Sequence, residues 1–390
     1  MGGRSSQPVT VKGDWLTSTA TQAVFDAYSA AGHSVFVVGG CVRNALLGEP
    51  VSDIDMSSAV PPQTARAFLE DAGFRVVPTG IDHGTITVLS KGIPHEITTF
   101  RKDIETDGRH AVVVFSDSME DDAARRDFTI NALYADRNGQ VLDPMGGLPD
   151  IQARRVQFIG SAKDRIQEDY LRSLRFFRFH ARYGDAAQGF DADALAAIAA
   201  NLDGLSQLSR ERVGVELIKL LGVDDPAAAI MSMQQIGMLA QLMPGADAKA
   251  LGPLIHIESL QGIQADAITR LASFADENQA ATLRISRAQA KELKALRDAA
   301  TGVMSPAEMG YRMGYDMAMR AYTLRCAFLE TPPDAGTSAQ VENAACAKFP
   351  ISARDLSNSL SGKALGDALR HKEAEWIASG FSMTRAQLLG

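Results

Sequence analysis

Two patterns of apolar and polar positions divide the chain at about residue 150. Before that point, short apolar runs bounded by glycine, proline and aspartate alternate with helical repeats, which is typical of an α/β arrangement. Beyond it the strand signals stop, and the sequence predicts helices rich in Ala, Leu and Met. The elements predicted for the first part are strands at 34–40, 51–58, 84–90 and 95–100, helices at 17–32, 41–48 and 61–73, and a further apolar stretch at 127–136.

Composition narrows the class of protein further. The 390 residues leave room for two or three domains, and no apolar run approaches the roughly 20 residues that a membrane-spanning helix needs. Cys41, Cys326 and Cys346 are odd in number and far apart, which argues against a disulfide framework or a zinc site and favours a reducing cytoplasm. The net charge of −8 argues weakly against nucleic acid, but binding depends on local basic surfaces rather than on the sum.

Asp53 and Asp55 stand two residues apart on a predicted strand, so their side chains are expected on one face of it. Two carboxylates so placed repel unless a cation separates them, and Mg²⁺ prefers carboxylate oxygens. Glu96 can complete a set of three if its strand runs beside 51–56, and such a set suits two-metal phosphoryl or nucleotidyl transfer. The alternative is a solvated edge strand with an acidic pair, and sugar-nucleotide transferases also use Asp-x-Asp.

The segment GGCVRN at 39–44 combines two glycines with the start of a predicted helix. Gly39 and Gly40 allow backbone N–H groups to approach a phosphate closely, and the helix N-terminus favours an anion. Arg43 adds a fork of donors for phosphate oxygens. The spacing is neither G-x-G-x-x-G nor a P-loop, and the alternative is a plain tight turn.

Residues 164–184 are predicted to form one helix. Its apolar stripe consists of Ile166, Tyr170, Leu174, Phe177 and Ala181. A second face carries Asp169, Arg172 and Arg175, spaced three apart, and then Arg178 and Arg182. Asp169 can accept a hydrogen bond from an exocyclic amino group while Arg172 donates to the base ring, which would select C and A. The alternative is an ordinary surface ion pair.

Two features of the helical remainder are expected to have different roles. Arg284, Arg287, Lys291 and Lys294 fall at offsets of 3, 4 and 3, a basic stripe suited to phosphates, although a solvated helix face is the alternative. Glu211, Arg212 and Glu216 are expected to brace neighbouring helices, a structural role.

The chain carries seven spaced motifs within residues 35–220. In order they are VVGGCVRNALLGEPVSDIDMSS at 37–58, HGTITV at 83–88, HEITTFRKD at 95–103, RRDFTINAL at 125–133, DPMGG at 143–147, EDYLRSLR at 168–175 and ERVGVEL at 211–217. This set resembles the motifs of class II tRNA nucleotidyltransferases, the CCA-adding enzymes. Bacterial poly(A) polymerases share them within the DNA polymerase beta-like superfamily.

The resemblance implies an α+β head, with a polymerase beta-like mixed sheet and flanking helices, followed by an all-helical neck, body and tail. The expected domains are a catalytic head at 1–147, a neck with the base-reading helix at 148–222, and a tRNA-binding body and tail at 223–390. The polar segment 101–113, a loop by its composition, would be the family's flexible loop, which helps the switch from C to A addition.

The resemblance also implies a role for each candidate residue. Asp53, Asp55 and Glu96 would be catalytic, the two aspartates holding two Mg²⁺ ions; Gly39, Gly40 and Arg43 would bind the triphosphate; Arg126, Asp127 and Asn131 would face the ribose and phosphates; Asp169, Arg172 and Arg175 would select the base; and Arg178, Arg182, Arg284, Arg287, Lys291 and Lys294 would contact tRNA. Asp127 suits the ribose 2′-hydroxyl, although it could equally cap a helix start. The family often has Asp after the head-motif arginine, where this chain has Asn44, so one polar contact is expected to be weaker.

The implied activity is template-independent addition of C, C and A to the 3′ end of tRNA, from CTP and ATP, with release of pyrophosphate. The expected partners are tRNA and the two nucleotides, with no membrane and no protein partner indicated. The alternatives are a poly(A) polymerase, an enzyme adding only CC or only A, and a non-catalytic RNA-binding protein on a decayed enzyme fold. The intact Asp53, Asp55, Glu96, Asp169 and Arg172 argue against the last.

Overall fold

The computed structural model describes residues 8–107, 110–357 and 360–390. The chain separates into two compact units by its internal contacts. The first runs to Val213 and includes Ile236–Gln241, and the second consists of Gly214–Gln235 and Leu242–Gly390. The predicted boundaries at 147 and 222 remain expectations.

The strands lie in the first unit. Those found in the described residues are Phe36–Val38 (β1), Ile54–Ser58 (β2), Arg75–Gly80 (β3), Thr85–Ser90 (β4), Ile93–Thr99 (β5), Arg101–Asp107 (β6), His110–Phe115 (β7), Tyr134–Ala135 (β8) and Val141–Leu142 (β9). One sheet has the order β3-β4-β5-β2-β1-β8-β9, and β6 pairs with β7 as a separate ribbon. β2 and β5 run parallel while the other pairs are antiparallel, so the expected mixed sheet is confirmed.

Helices flank this sheet and continue after it. They are Asp14–Thr17 (α1), Thr19–Ala30 (α2), Gly40–Leu47 (α3), Pro62–Asp71 (α4), Met119–Ala124 (α5), Leu148–Gln152 (α6), Ala162–Glu168 (α7), Leu171–Tyr183 (α8), Ala192–Ala199 (α9) and Arg210–Leu221 (α10), with 3₁₀ turns at Ile81–His83, Thr129–Asn131 and Leu202–Gln207. The predicted helices at 17–32, 41–48 and 61–73 match α2, α3 and α4 within three residues at each end.

Three sequence predictions are wrong in detail. The strand predicted at 51–58 begins only at Ile54, so Asp53 precedes β2 instead of lying within it. The polar segment 101–113 is not a loop, because its backbone pairs as the antiparallel strands β6 and β7. The single helix predicted at 164–184 is two helices, α7 and α8, separated at Asp169 and Tyr170.

The core of the first unit holds the site-bearing strands in place. Val37 and Val38 of β1 are buried, and Val38 packs in a cluster with Phe100 and Tyr134. Along β4, buried residues alternate with half-buried ones, the pattern of a strand with one face on the core. Burial of these apolar side chains is the main stabilising term for the sheet.

The second unit is helical throughout the residues described. Its helices are Ala227–Gln235 (α11), Met238–Leu242 (α12, which begins in the first unit), Leu251–Gln261 (α13), Ala267–Ala272 (α14), Glu277–Ala281 (α15), Arg287–Thr301 (α16), Pro306–Met313 (α17), Tyr315–Leu329 (α18), Thr337–Ala345 (α19), Ala353–Leu356 (α20), Gly362–Ala378 (α21) and Arg385–Leu389 (α22). The predicted helical remainder is thus confirmed. In the chain as described, no helix is both long and apolar enough to span a bilayer.

Candidate active site

The turn between β1 and α3 depends on glycine. Gly39 has φ of +72°, a left-handed value that costs little only for glycine, and it precedes the first residue of α3. A Cβ on Gly39 would stand 3.3 Å from Nη1 of Arg126 and 3.4 Å from the carbonyl oxygen of Asn131. The backbone here therefore lies close to the RRDFTIN segment, which the sequence separates from it by more than 80 residues.

Arg43 occupies the first turns of α3 and is 7% exposed. Its guanidinium donates to Oδ1 of Asn44 from Nε (3.2 Å) and Nη2 (2.9 Å), to Oδ1 of Asn131, and to the hydroxyl of Tyr183 (2.8 Å). Asn44 also donates to the carbonyl of Pro50, so its amide accepts hydrogen bonds from Arg43 through Oδ1 and donates one through Nδ2. Burial lowers the pKa of Arg43 from its ordinary value.

The three predicted carboxylates lie around the start of β2. Asp55 on β2 is paired in register with Glu96 on the parallel strand β5. Asp53, just before β2, accepts a hydrogen bond from the Ser52 hydroxyl at 2.9 Å. The pKa of Asp55 is raised to about 6, mainly by partial loss of water and also by Glu96 and Asp53, while Arg126 opposes the rise. The ionised form of Asp55 is thus repelled by Glu96 and Asp53, and a bound cation would relieve that repulsion.

No group of three His, Cys, Asp or Glu side chains in the described residues stands close enough to hold a metal ion by itself. Mg²⁺ is commonly bound through one or two carboxylates with substrate phosphates and water completing the shell. Asp55, with its repelling acidic neighbours, fits that pattern, in which the nucleotide supplies the remaining ligands. Hard oxygen donors of this kind match Mg²⁺ rather than a thiolate-binding metal.

Without divalent cations, Asp55→Asn is expected to be more stable than the wild type at pH 8. The pKa of Asp55 is above its ordinary 3.8 in the folded protein, which therefore binds this proton more tightly than the unfolded chain does. Stability associated with the protonated group is present below pH 4 and is lost as the pH rises through 6. Thermal unfolding in EDTA at pH 4 and pH 8 measures this, with Asp71→Asn as the matched control. If the Tm of Asp55→Asn minus that of the wild type is the same at both pH values, the prediction is contradicted.

A pocket of about 410 Å³ in the first unit brings most of the candidate residues together. Its walls are formed by Gly39, Gly40, Arg43, Asp55, Arg125, Arg126, Asp127, Asn131, Asp169, Leu171, Arg172, Arg175, Phe179 and Arg212. A second pocket of about 230 Å³ contains Asp53 and shares Asp55 and Arg43 with the first. The described walls of these two pockets do not include Glu96, Arg178 or Arg182.

The RRDFTIN segment is organised by a buried carboxylate that the sequence analysis missed. Asp122 is fully buried and accepts hydrogen bonds from Arg125 (2.8 Å), Arg126 (3.1 Å) and the hydroxyl of Tyr134 (2.7 Å). Burial alone would raise the pKa of Asp122, but the two guanidiniums and the hydroxyl outweigh it and hold the pKa below its usual range. Asp122 thereby positions two arginines in the wall of the pocket.

Asp127 is held from two sides. Its Oδ1 accepts from the backbone N–H of Phe128 and from Nδ2 of Asn131, both at 2.9 Å, and its Oδ2 accepts from Nε of Arg175 at 2.6 Å. Burial raises its pKa, yet Arg175 and these hydrogen bonds together hold the pKa below the ordinary value. The helix-cap alternative for Asp127 is wrong, since Phe128 takes that position before the 3₁₀ turn.

The segment expected to read the base has a different geometry from the prediction. Asp169 is extended between α7 and α8, its Oδ1 accepts the N–H of Leu171 at 3.1 Å, and its Oδ2 pairs with Arg212 at 2.6 Å. Tyr170 lies against Gly204, where a Cβ would stand 1.9 Å from the ring. These contacts end α7, because Asp169 takes the N–H of Leu171 into a local turn instead of a helical hydrogen bond.

Arg172 and Arg175 consequently have separate partners. Arg172 pairs with Glu168 and donates to the carbonyls of Arg165 (3.0 Å) and Arg125 (2.9 Å). Arg175 pairs with Asp127 instead of joining Asp169 on one helix face. The three predicted base-selecting residues do line one pocket. They do not share one face of a continuous helix, because the helix breaks between α7 and α8 at Asp169 and Tyr170.

Four residues of the pocket wall are not among the sequence-predicted site residues: Leu171, Phe179 and the cations Arg125 and Arg212. Arg212 was assigned a bracing role, whereas it pairs with Asp169 in the pocket wall. Arg125 stands first in the RRD motif, in which Arg126 and Asp127 are the predicted nucleotide-binding residues. The motif itself contained the signal for Arg125, but the pairing of Arg212 with Asp169 spans 43 residues and has no local signature.

The cations expected to contact tRNA are only partly arranged as predicted. Arg182 pairs with Glu49 at 3.1 Å, and Arg178 lies over the Phe179 ring. Arg284 is outside α16, which begins at Arg287, so the four-residue stripe on one helix is wrong. On α16 itself Lys294 pairs with Glu277 and Asp298. The exposed cations that α16 retains for an external partner are Arg287 and Lys291.

Comparison with known proteins gives consistent results. Residues 35–157 match the family described as the poly A polymerase head domain, and residues 189–249 match the family described as the probable RNA and SrmB-binding site of polymerase A. The mouse protein named CCA tRNA nucleotidyltransferase 1, mitochondrial, is 31% identical over 389 residues, covering 96% of this chain and 90% of its own. A CCA-adding enzyme of Streptococcus pyogenes is 42% identical over 195 residues, 49% of this chain and 46% of its own.

Solved structures agree with these sequence relatives. The Bacillus stearothermophilus CCA-adding enzyme in complex with CTP superposes with a TM-score of 0.71 at 25% identity, covering 92% of each chain. The Thermotoga maritima CCA-adding enzyme complexed with tRNA shares the fold, with a TM-score of 0.68 at 18% identity over 98% of each chain. Together with the 31% identity to the mouse protein over nearly the whole chain, this shows that the chain belongs to the CCA-adding tRNA nucleotidyltransferases.

Proposed function

We propose that this chain adds C, C and A in turn to the 3′ end of tRNA, using CTP and ATP and releasing pyrophosphate. The observation that carries the proposal is that one pocket is lined both by the guanidiniums of Arg43 and Arg126 beside Asp55 and by Asp169 with Arg172. A nucleotide in such a pocket has its triphosphate and its base in contact with the protein at once. The relatives are named for CCA addition, which supports the same activity.

The phosphate side of the pocket is strongly cationic. The N–H of Gly39 already donates to the carbonyl of Leu133 at 2.9 Å, so Gly39 serves to turn the backbone. Gly40 offers the backbone N–H at the start of α3, and Arg43 and Arg126 add guanidinium donors. The Nε of Arg126 is buried and has no hydrogen-bond partner in the described structure. A buried donor without an acceptor costs free energy, so an incoming phosphate oxygen would relieve that cost.

Asp53 and Asp55, with Glu96 beside them, are proposed to hold two Mg²⁺ ions together with the nucleotide's phosphates. When bound, the ions activate the attacking 3′-hydroxyl of the tRNA and stabilise charge on the leaving pyrophosphate. Asp55 must lose its proton to serve as a ligand, and its pKa of about 6 leaves it ionised at neutral pH. Asp127, fixed by Arg175 and Asn131, is proposed to accept a hydrogen bond from the ribose 2′-hydroxyl.

Selection of C and A is proposed to rest on Asp169 and Arg172. C and A present an amino group where U and G present a carbonyl, and a carboxylate accepts only from the former. Arg212 holds the Asp169 carboxylate in place, and three contacts hold Arg172. The choice of base would thus be made by the protein without a nucleic-acid template.

Binding of the tRNA is proposed to involve exposed cations beyond the pocket. Arg287 and Lys291 of α16, with Arg284 just before it, are exposed in the second unit, and Arg178 and Arg182 lie on α8. Phosphate contacts of this kind make binding sensitive to salt. A cytoplasmic location is proposed from the cysteine content, since Cys41, Cys326 and Cys346 are free thiols.

Omission of single nucleotides tests the proposed activity. A tRNA lacking its CCA end should gain two residues with CTP alone and three with CTP and ATP together, and EDTA should stop both additions. A tRNA already ending in CC should gain one residue with ATP alone. Extension that stops at two residues with both nucleotides present, or that requires a CC end, would instead identify a partial-addition enzyme; a long tail with ATP alone would identify a poly(A) polymerase.

A further inference from the structure

We propose that Tyr183 is a positioning residue that holds Arg43 for the triphosphate and so sets the affinity for every nucleotide equally. The inference rests on the proposed function and extends it to a side chain that none of the sequence motifs contains. Tyr183 is the last residue of α8, 140 residues from Arg43 in the sequence.

The starting observation is a buried cation whose hydrogen bonds in the described structure all go to neutral acceptors and none to a carboxylate. Arg43 is 7% exposed, and its acceptors in the described structure are the amides of Asn44 and Asn131 and the Tyr183 hydroxyl, all of them neutral. A buried charge is costly unless an opposite charge accompanies it. Arg43 lines both pockets, where Asp127 acts on it only at a distance and a bound phosphate would supply an anion in direct hydrogen-bond contact.

Tyr183 restrains this guanidinium in two ways. Its hydroxyl accepts a hydrogen bond from Nη2 at 2.8 Å, and the guanidinium carbon lies 4.1 Å from the centre of the tyrosine ring. Phe179, one turn earlier on α8, has its ring centre 5.2 Å from the same carbon. Arginine stacks well on aromatic faces and remains charged there, so the two rings fix its plane without neutralising it.

The hydrogen bonds leave the guanidinium partly free for a ligand. Asn44, Asn131 and Tyr183 engage Nε, one N–H of Nη1 and both of Nη2, four of the five N–H donors of an arginine. The remaining N–H on Nη1 is available to a phosphate oxygen. Because these contacts involve only the phosphate side, loss of Tyr183 should weaken CTP, ATP and a bare polyphosphate to the same degree.

The test compares Tyr183→Phe with Tyr28→Phe. The first removes the hydroxyl that accepts from Arg43, and the second removes a buried hydroxyl that has no hydrogen-bond partner in the described structure. A hydrogen bond to a charged group implies an increase of about tenfold in KM for Tyr183→Phe, the same for CTP and ATP, with kcat within about twofold. Inhibition by magnesium tripolyphosphate should weaken by the same factor. Tyr28→Phe should leave all three quantities unchanged.

Tyr183→Leu, which also removes the ring, should raise KM by about threefold more. The preference for CTP over UTP should stay constant in both Tyr183 variants, whereas a general loosening of α8 would lower kcat, base preference and Tm together. Equal KM values in wild type, Tyr183→Phe and Tyr183→Leu would overturn the inference. A loss of affinity for nucleotides without a matching loss of affinity for tripolyphosphate would overturn it too. If the wild type itself adds no CCA, the proposed function fails, but tripolyphosphate binding measured by calorimetry still tests Tyr183.

Discussion

Asp55→Asn is expected to abolish nucleotide addition while leaving tRNA binding nearly unchanged. The substitution preserves size and the strand pairing of β2 with β5, but it removes the charge that a divalent cation requires. Loss of several kcal/mol of transition-state stabilisation corresponds to a decrease in kcat of about a thousandfold or more. Single-turnover incorporation of CMP into tRNA lacking CCA measures the rate, and filter binding measures the affinity for tRNA.

Asp71→Asn is the matched control for this experiment. Asp71 ends α4 and is exposed, so the same chemical change there should leave both rate and affinity at wild-type values. Near-normal incorporation by Asp55→Asn would show that the metal assignment is wrong. The expected higher stability of this inactive variant at pH 8 without cations provides a separate check, because misfolding would lower the Tm instead.

Asp169→Asn is expected to admit UTP. In the unsubstituted protein, the carboxylate of Asp169 accepts hydrogen bonds from Arg212 and from the N–H of Leu171. It is proposed to accept one from the amino group of C or A as well. An amide presents a donor on one side, so a base with a carbonyl at that position gains a partner. The preference for CTP over UTP should fall by about 10- to 100-fold, the range for one well-made base contact.

Competition between labelled CTP and UTP on the same tRNA measures this preference. Asp164→Asn, an exposed change on the neighbouring helix α7, should keep the wild-type ratio. Arg172→Ala should also weaken the preference, since it removes the donor half of the proposed pair. Unchanged selection in Asp169→Asn and Arg172→Ala would remove the base-reading role from both residues.

The parts of the fold that local patterns determine were predictable. The glycines that bound α3 supply left-handed backbone at Gly39 and Gly48, and the apolar run at 34–40 predicted a buried strand, which the structure places at Phe36–Val38. Alternation of apolar and polar residues predicted β4, whose inward residues are buried as expected. Each of these features depends on residues within one turn or strand of one another.

The features that were missed depend on contacts between distant residues. Tyr170 packs on Gly204, and this contact, with the Asp169–Arg212 pair, breaks a helix whose local pattern is continuous. Asp122 stands in the acidic run EDD at 120–122, which has the composition of a solvated helix start, yet its carboxylate is fully buried between two arginines. Residues 101–107 carry mostly polar side chains, so β6 has no hydrophobic signature of its own, and its pairing with the apolar run at 111–115 had to be inferred from contacts rather than from pattern.

The most direct test of protein-directed CCA addition is to sequence the new 3′ ends of a tRNA transcript that lacks CCA. The purified chain is incubated with this transcript, Mg²⁺ and all four nucleoside triphosphates, so that the protein must choose. The account predicts that C, C and A are added in that order and that addition then stops. Tails of mixed sequence, or no added nucleotides on a tRNA that the protein still binds, would contradict it.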